Sequence, residues 1–229
     1  MIRQLSIALA AIGLAGTAAQ AGPLSGPQGP SGVVVNKESG VVVATSPRMD
    51  GAGQIAPTLP PRVTTIAGNL AKKYKKGSYI CCYGYDVRGP TSGFGQQWLG
   101  VPFTPAANFT ITAIEVPISY ETGTNKFVIT LNHDSGGVPG TQMAAFTVTN
   151  VPAFPTCCAL ATVSPNSVSV TGGQHYWITV QTSSTGQSAR GAWNANDTDQ
   201  TDAQSVAANS GTWGTASLTP GLAFAVFGN

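Results

Sequence analysis

Charge is what this chain has least of. Only 9% of its 229 residues are Asp, Glu, Lys or Arg, and the formal net charge is +2; an ordinary globular protein carries about a quarter charged residues. A balance so thin and so near neutral leaves no electrostatic footprint for nucleic acid or for an acidic membrane surface. Histidine is scarcer still, with His133 and His175 the whole supply. There is no G-x-S-x-G elbow to present a nucleophilic serine. His133, beside Asp134, reads as a turn residue at a strand end rather than as a base with an orienting partner, and His175 opens a strand and is expected to be half exposed. Beyond Arg62 the acids are Asp86, Glu115, Glu121, Asp134 and the group Asp197, Asp199, Asp202. No spacing among them sets two carboxyls across one cleft, as glycoside hydrolysis requires. The expectation is a protein that is not an enzyme.

Long apolar runs are also lacking. The one candidate is at the start, MIRQLSIALAAIGLAGTAAQA, with Arg3 as a positive leader, an apolar core from Leu5 to Ala15, and Ala19-Gln20-Ala21 as a small-residue cleavage site. That is the pattern of a secretory signal peptide over residues 1–21, and its core is too short and too rich in Ala and Gly to span about 30 Å of hydrocarbon. Cleavage would remove Arg3 and leave a near-neutral, exported chain with no transmembrane segment.

What the chain has in abundance is Gly, Pro, Ser, Thr and Val. Residues 22–61 (GPLSGPQGPSG, then TSP and PTLPPR) read as a flexible extension, with too few collagen-like triplets for a triple helix. Inside it lies a tandem repeat, SGVVVNKE from Ser31 to Glu38 and SGVVVATS from Ser39 to Ser46. Val triplets favour strand, so the repeat is expected to form a hairpin lying on the main domain, the alternative being a strand that pairs with a neighbouring molecule's sheet edge.

From residue 62 to 229 the pattern is steadily β. Phe127, Ile129 and Leu131 alternate with Val128, Thr130 and Asn132, and Tyr176, Ile178 and Val180 with Trp177, Thr179 and Gln181, the period-2 signature of strands with one buried face. Further strands are expected over Ser78–Val87, Gln96–Phe103, Phe109–Tyr120, Gln142–Thr149, Ala189–Asn194 and Leu222–Phe227, separated by Gly89-Pro90, Thr122-Gly123, Gly136-Gly137, Pro139-Gly140 and Gly172-Gly173. So many evenly spaced strands predict an all-β, two-sheet antiparallel sandwich of the jelly-roll type. The single helix candidate is Ile66–Lys76, which reads equally well as a strand followed by a basic turn. The lysines of that turn, Lys72, Lys73, Lys75 and Lys76, are the chain's only charge run and are expected to be a solvated face.

The span from Arg62 onward resembles the choice-of-anchor R domains, a bacterial family of uncharacterised secreted proteins. The likeness is carried by Asn69-Leu70, Cys81-Cys82, Gln97-Trp98 leading to Phe103-Thr104, Gly123-Thr124-Asn125, LNHDSGGVPGT from Leu131 to Thr141, Cys157-Cys158, and GGQHYWITV from Gly172 to Val180. It implies an extracellular β-sandwich and no particular reaction. The family's members end in different surface-attachment signals, whereas here only Gly228 and Asn229 follow Phe227, a departure from the family pattern that leaves anchoring open.

Four cysteines in an exported chain read as disulfides. Neighbouring residues of a strand point to opposite faces, so two facing strands can make one bridge on each face, for example Cys81 with Cys158 and Cys82 with Cys157. Strained vicinal bonds are the second option, and zinc the third, because adjacent cysteines fit poorly the spacing that lets two thiolates turn inward. Asp197, Asp199 and Asp202 sit among amides in NANDTDQTD, a composition that suits a solvated turn-rich loop and, as the weaker reading, a structural calcium site. Trp193 and Trp213 flank that loop in Gly- and Ser-rich surroundings. With Tyr120 they are the candidate platforms for stacking a sugar, while Trp98 and Trp177 sit within strands and are expected in the core. Asn108 and Asn196 open N-x-Thr acceptors, relevant only in a eukaryotic host. The functional expectation is a secreted, non-catalytic binding module for a glycan or cell-surface polymer; the alternative is a structural surface protein that self-associates through its Val-rich repeat.

Overall fold

The computed structural model describes residues 32–35, 42–45, 64–70, 79, 83–154, 160–165, 168–184, 186–196, 205–209 and 211–229. In chain order its strands are β1 (Gly32–Val35), β2 (Val42–Thr45), β3 (Thr64–Gly68), β4 (Tyr83–Arg88), β5 (Gln97–Phe103), β6 (Phe109–Val116), β7 (Ile118–Thr122), β8 (Lys126–Asp134), β9 (Pro139–Thr149), β10 (Ala161–Val163), β11 (Val168–Val170), β12 (Tyr176–Thr182), β13 (Arg190–Asn194), β14 (Ser205–Asn209), β15 (Thr212–Ala216) and β16 (Ala225–Gly228). The fold is all-β, as the alternation predicts.

The larger sheet runs β9-β8-β12-β5, and the β14-β15 hairpin adds to the other edge of β5. At its start β5 meets β4 through Arg88 and Gln97. That junction joins a second strip, in which β13 lies between β4 and β7 and the N-terminal hairpin β1-β2 adds to β4. The smaller sheet places β16 between β3 and β6, with β10 and β11 on the far edge of β6. Every strand-to-strand ladder among the described residues is antiparallel, and the two sheets are consistent with a β-sandwich.

Alternation builds the core. Leu99, Val101 and Phe103 of β5, Ile178 and Val180 of β12, and Phe127, Ile129 and Leu131 of β8 are buried in one cluster with Ile111, Ile114 and Val116 of β6 and Val226 of β16. The Thr, Gln and Trp residues between them on β5, β8 and β12 go to the opposite face, and that face carries the candidate site.

Three expectations are refined. Phe109–Tyr120 divides at Pro117 into β6 of the smaller sheet and β7 of the larger. A proline has no amide hydrogen to give to a ladder, and Pro117 marks the change of sheet, its carbonyl accepting from Asn194 N–H at 2.8 Å. The helix candidate is strand over Thr64–Gly68, paired with β16; residues 71–76 lie outside the described set. The Val-rich repeat pairs with itself as a hairpin and docks on β4, Val43 opposite Tyr85, so part of the 22–61 extension belongs to the sheet. The signal segment 1–21 and all four cysteines, Cys81, Cys82, Cys157 and Cys158, also fall outside the described residues.

Candidate functional site

The sequence candidates do not assemble into one site. Trp193 has 0% exposure. It sits on β13 between β4 and β7, opposite Tyr85 on one side and Ile118 on the other, and its indole N–H donates to the Ala223 carbonyl at 2.7 Å. No face of the ring is free for a sugar, so the sequence-based assignment of Trp193 as a platform is corrected: the strand expected over Ala189–Asn194 is present, but it lies between two neighbours that bury the ring. Trp213 is half-buried on β15, in an edge hairpin. Tyr120, on β7, is partly exposed, and its hydroxyl donates to the Gly123 carbonyl at 2.7 Å, tying down its own turn. Asp197, Asp199 and Asp202 lie outside the described residues.

Both histidines are exposed, and His133 is not a turn residue: it lies within β8, where pairing with β12 sets it opposite Tyr176. With Asp134, Thr171, Gln174 and Tyr176 they line a cavity of about 350 Å³. Two of its polar groups are already engaged. Asp134 accepts from Trp177 Nε1 at 2.7 Å and from the Gly137 amide at 3.1 Å, and the Trp177 N–H above all holds its carboxyl below the usual range. His175 Nδ1 shares a hydrogen bond with Thr104 Oγ1 at 2.8 Å. Among the described residues no group of three or more His, Cys, Asp or Glu is placed to hold a metal ion.

A buried ionic cluster was not foreseen. Asp86 and Arg88 share a face of β4 and meet Arg190 of β13, which lies opposite Arg88. Arg190 Nε stands 3.1 Å from Asp86 Oδ2 and 3.1 Å from Glu121 Oε2, and Arg88 Nη1 3.6 Å from Asp86 Oδ2. Burial pushes the Asp86 carboxyl up to about 6, the neighbouring guanidiniums offsetting only part of that cost. Phe94 caps the cluster with its ring 4.7 Å from the Arg190 guanidinium carbon. Two carboxylates converge here on an arginine, with no histidine or serine among the partners, so the arrangement locks strands together.

The site with room for a ligand lies on the outward face of the larger sheet. A groove of about 530 Å³ runs across β5, β12, β8 and β9, lined by Trp98, Gln181, Val128, Thr130, Gln142 and Thr147, with Gln96, Lys126 and Ser183–Ser184 toward one end. Two of its lining residues, Thr130 and Gln181, belong to a largely buried chain of hydroxyls and amides: Asn132 Nδ2 donates to Thr130 Oγ1 at 2.6 Å, Thr130 Oγ1 meets Thr179 Oγ1 at 2.6 Å, and Gln181 Nε2 donates to Thr179 Oγ1 at 2.8 Å. Trp98 is half-buried rather than in the core, its Nε1 donating to Thr182 Oγ1 at 3.2 Å. The Gln96 side-chain nitrogen is buried at this groove without a hydrogen-bond partner, an unusual state for a buried donor. The lining contains Lys126 but no carboxylate, histidine or cysteine. Comparison with known proteins adds no relative to this geometry: no protein-family model matches the chain, and no curated protein matches it.

Proposed function

We propose that this protein is a secreted, non-catalytic binding module that takes a neutral, hydroxyl-rich polymer, a glycan, in the groove on the outward face of its larger sheet. The observation that carries the reading is the half-buried Trp98 set among amide and hydroxyl side chains. A sugar ring has an apolar face that stacks on an indole and an edge of hydroxyls that both donate and accept; Gln, Thr and Ser are matched to that edge, since each can do either. The residues lining the groove include no facing pair of carboxyls and no Ser–His or Cys–His pair, which supports a module that holds its ligand without cleaving it. Export is supported by the segment ending at Ala19-Gln20-Ala21, and the resemblance to choice-of-anchor R domains agrees with an extracellular sandwich.

Trp98→Ala should weaken glycan binding at least tenfold, about 1.4 kcal/mol or more, while Trp213→Ala leaves affinity unchanged. A glycan array with and without calcium, followed by calorimetry on the strongest hit, reads this out. Retained affinity in Trp98→Ala would remove the groove from the account, and calcium dependence would bring the loop of Asp197, Asp199 and Asp202 into it. The alternative, self-association through the Val-rich repeat, would use β1, since β2 is already paired with β4 of its own chain and β1 pairs among the described residues with β2 alone.

A further inference from the structure

The larger sheet ends at β9, and among the described residues no strand pairs with its outer edge. Natural sheets protect such edges with short strands, charge, proline or bulges near the exposed row. β9 has 11 residues, from Pro139 to Thr149, and after its first residue the sequence GTQMAAFTVT contains neither charge nor proline. Its irregularities fall early, against Asn132 and Asp134 of β8, which leaves the run facing Lys126–Leu131 regular. The core is also open here. Inward residues of β8 and β12, such as Ile129 and Ile178, are fully buried, whereas Met143, Ala144, Phe146 and Val148 pack against the core while remaining only partly covered.

From this geometry we infer that β9 is the contact by which two copies of this chain join their larger sheets edge to edge. The strand is self-complementary. In an antiparallel pair about a two-fold axis at Phe146, Val148 faces the partner's Ala144 and Thr147 faces the partner's Ala145, so inward meets inward and outward meets outward. With no charged residue in the strand, the copies meet without like-charge repulsion, and the edge offers no charge pattern that would select a different protein. Eleven residues at about 3.3 Å each give a contact about 36 Å long. Taken over the ~10 Å thickness of one sheet layer, that is about 360 Å² per copy, well under the ~800 Å² per partner of a stable complex. The dimer is therefore a weak, reversible one.

Sedimentation equilibrium of the full chain from 1 to about 500 μM tests it, with hydrogen exchange at both ends of that range. The mass should rise from monomer toward dimer with concentration, and amide protection should rise with it over residues 143–149. Ala145→Lys places two lysines diagonally across the proposed axis from an exposed position and should weaken association at least tenfold with the circular dichroism unchanged. A chain that stays monomeric throughout would overturn the inference. So would association that Ala145→Lys leaves intact, or concentration-dependent protection appearing at residues 32–45 instead of on β9. The hydrogen-exchange comparison on the unmodified chain decides the matter even if the lysine variant fails to fold.

Discussion

Trp193→Ala should lower the free energy of unfolding by about 3–5 kcal/mol, the range for truncating a large core aromatic. The ring is fully buried, packs in the central cluster and satisfies the Ala223 carbonyl through its indole N–H. Truncation therefore removes buried apolar area, opens a cavity and leaves a buried carbonyl without its donor. The walls cannot readily collapse into the gap, because β13 is clamped on both sides. A Cβ added at the adjacent Gly191 would stand 2.3 Å from the Ser119 carbonyl oxygen and 2.6 Å from a Phe127 ring carbon. Chemical denaturation read by circular dichroism measures the loss, and a change below about 1 kcal/mol would mean that Trp193 is not the core residue described here. Trp98→Ala provides the contrast: a half-buried ring over a groove should cost only about 1–2 kcal/mol, being part exposed and bound by one side-chain hydrogen bond.

A loss of similar size is expected from Asp86→Ala. The substitution removes the acid that Arg88 and Arg190 share and leaves two largely buried guanidiniums facing each other with only Glu121 to answer them. Breaking a buried ion pair from one side typically costs 3–5 kcal/mol, mostly as the penalty of the stranded charge. Asp86→Asn should cost much less. A carboxyl that titrates near 6 stands only about 1.4 kcal/mol from its neutral form at pH 7, and the amide keeps its shape and an acceptor. The sign of the pH dependence follows from the same displacement. The folded value lies above the ordinary aspartate value, so the native state binds this proton more readily than the unfolded chain does. The contribution of Asp86 to stability thus grows as pH falls from above 6 toward 4 and is smallest at neutral and alkaline pH. Denaturation midpoints of the wild type and of Asp86→Asn, compared at pH 7 and pH 5, test this: the wild type should gain on the variant in acid. A wild type that instead loses ground to Asp86→Asn at pH 5 would reverse the assigned direction.

Much of the architecture is legible in the sequence, because a β-strand writes its two faces in alternate letters. Phe127-Ile129-Leu131 and Tyr176-Ile178-Val180 name the core face of β8 and β12 directly. Alternation does not say which second face is covered, and the site was misread for that reason. Trp98 and Trp177 both sit in strands, yet Trp177 is buried with its N–H on Asp134 while Trp98 borders an open groove. Trp193 was misplaced in the opposite sense: a strand is expected over Ala189–Asn194, but its Gly, Ala and Asn have low strand preference, and nothing in the sequence says that β4 and β7 flank it on both sides and bury the ring. The same weakness hid β14 and β15, whose sequences SVAAN and TWGTA are held by each other and by β5. The ionic cluster could not be read at all, because Asp86, Glu121 and Arg190 are far apart in the chain and meet only through the register of β4, β13 and β7. Gln97-Trp98 and LNHDSGGVPGT, noted for their resemblance to a secreted family, supply Trp98 to the groove and the turn that leads into β9.

The proposed function places a glycan in the groove against Trp98. The most direct test is titration of wild type, Trp98→Ala and Trp213→Ala with the best array ligand, following intrinsic fluorescence and heat together. Saturable binding with a perturbed tryptophan signal is expected in the wild type and in Trp213→Ala, and at least tenfold weaker binding in Trp98→Ala with the fold intact. Binding that survives in Trp98→Ala, or is lost in Trp213→Ala alone, would contradict it.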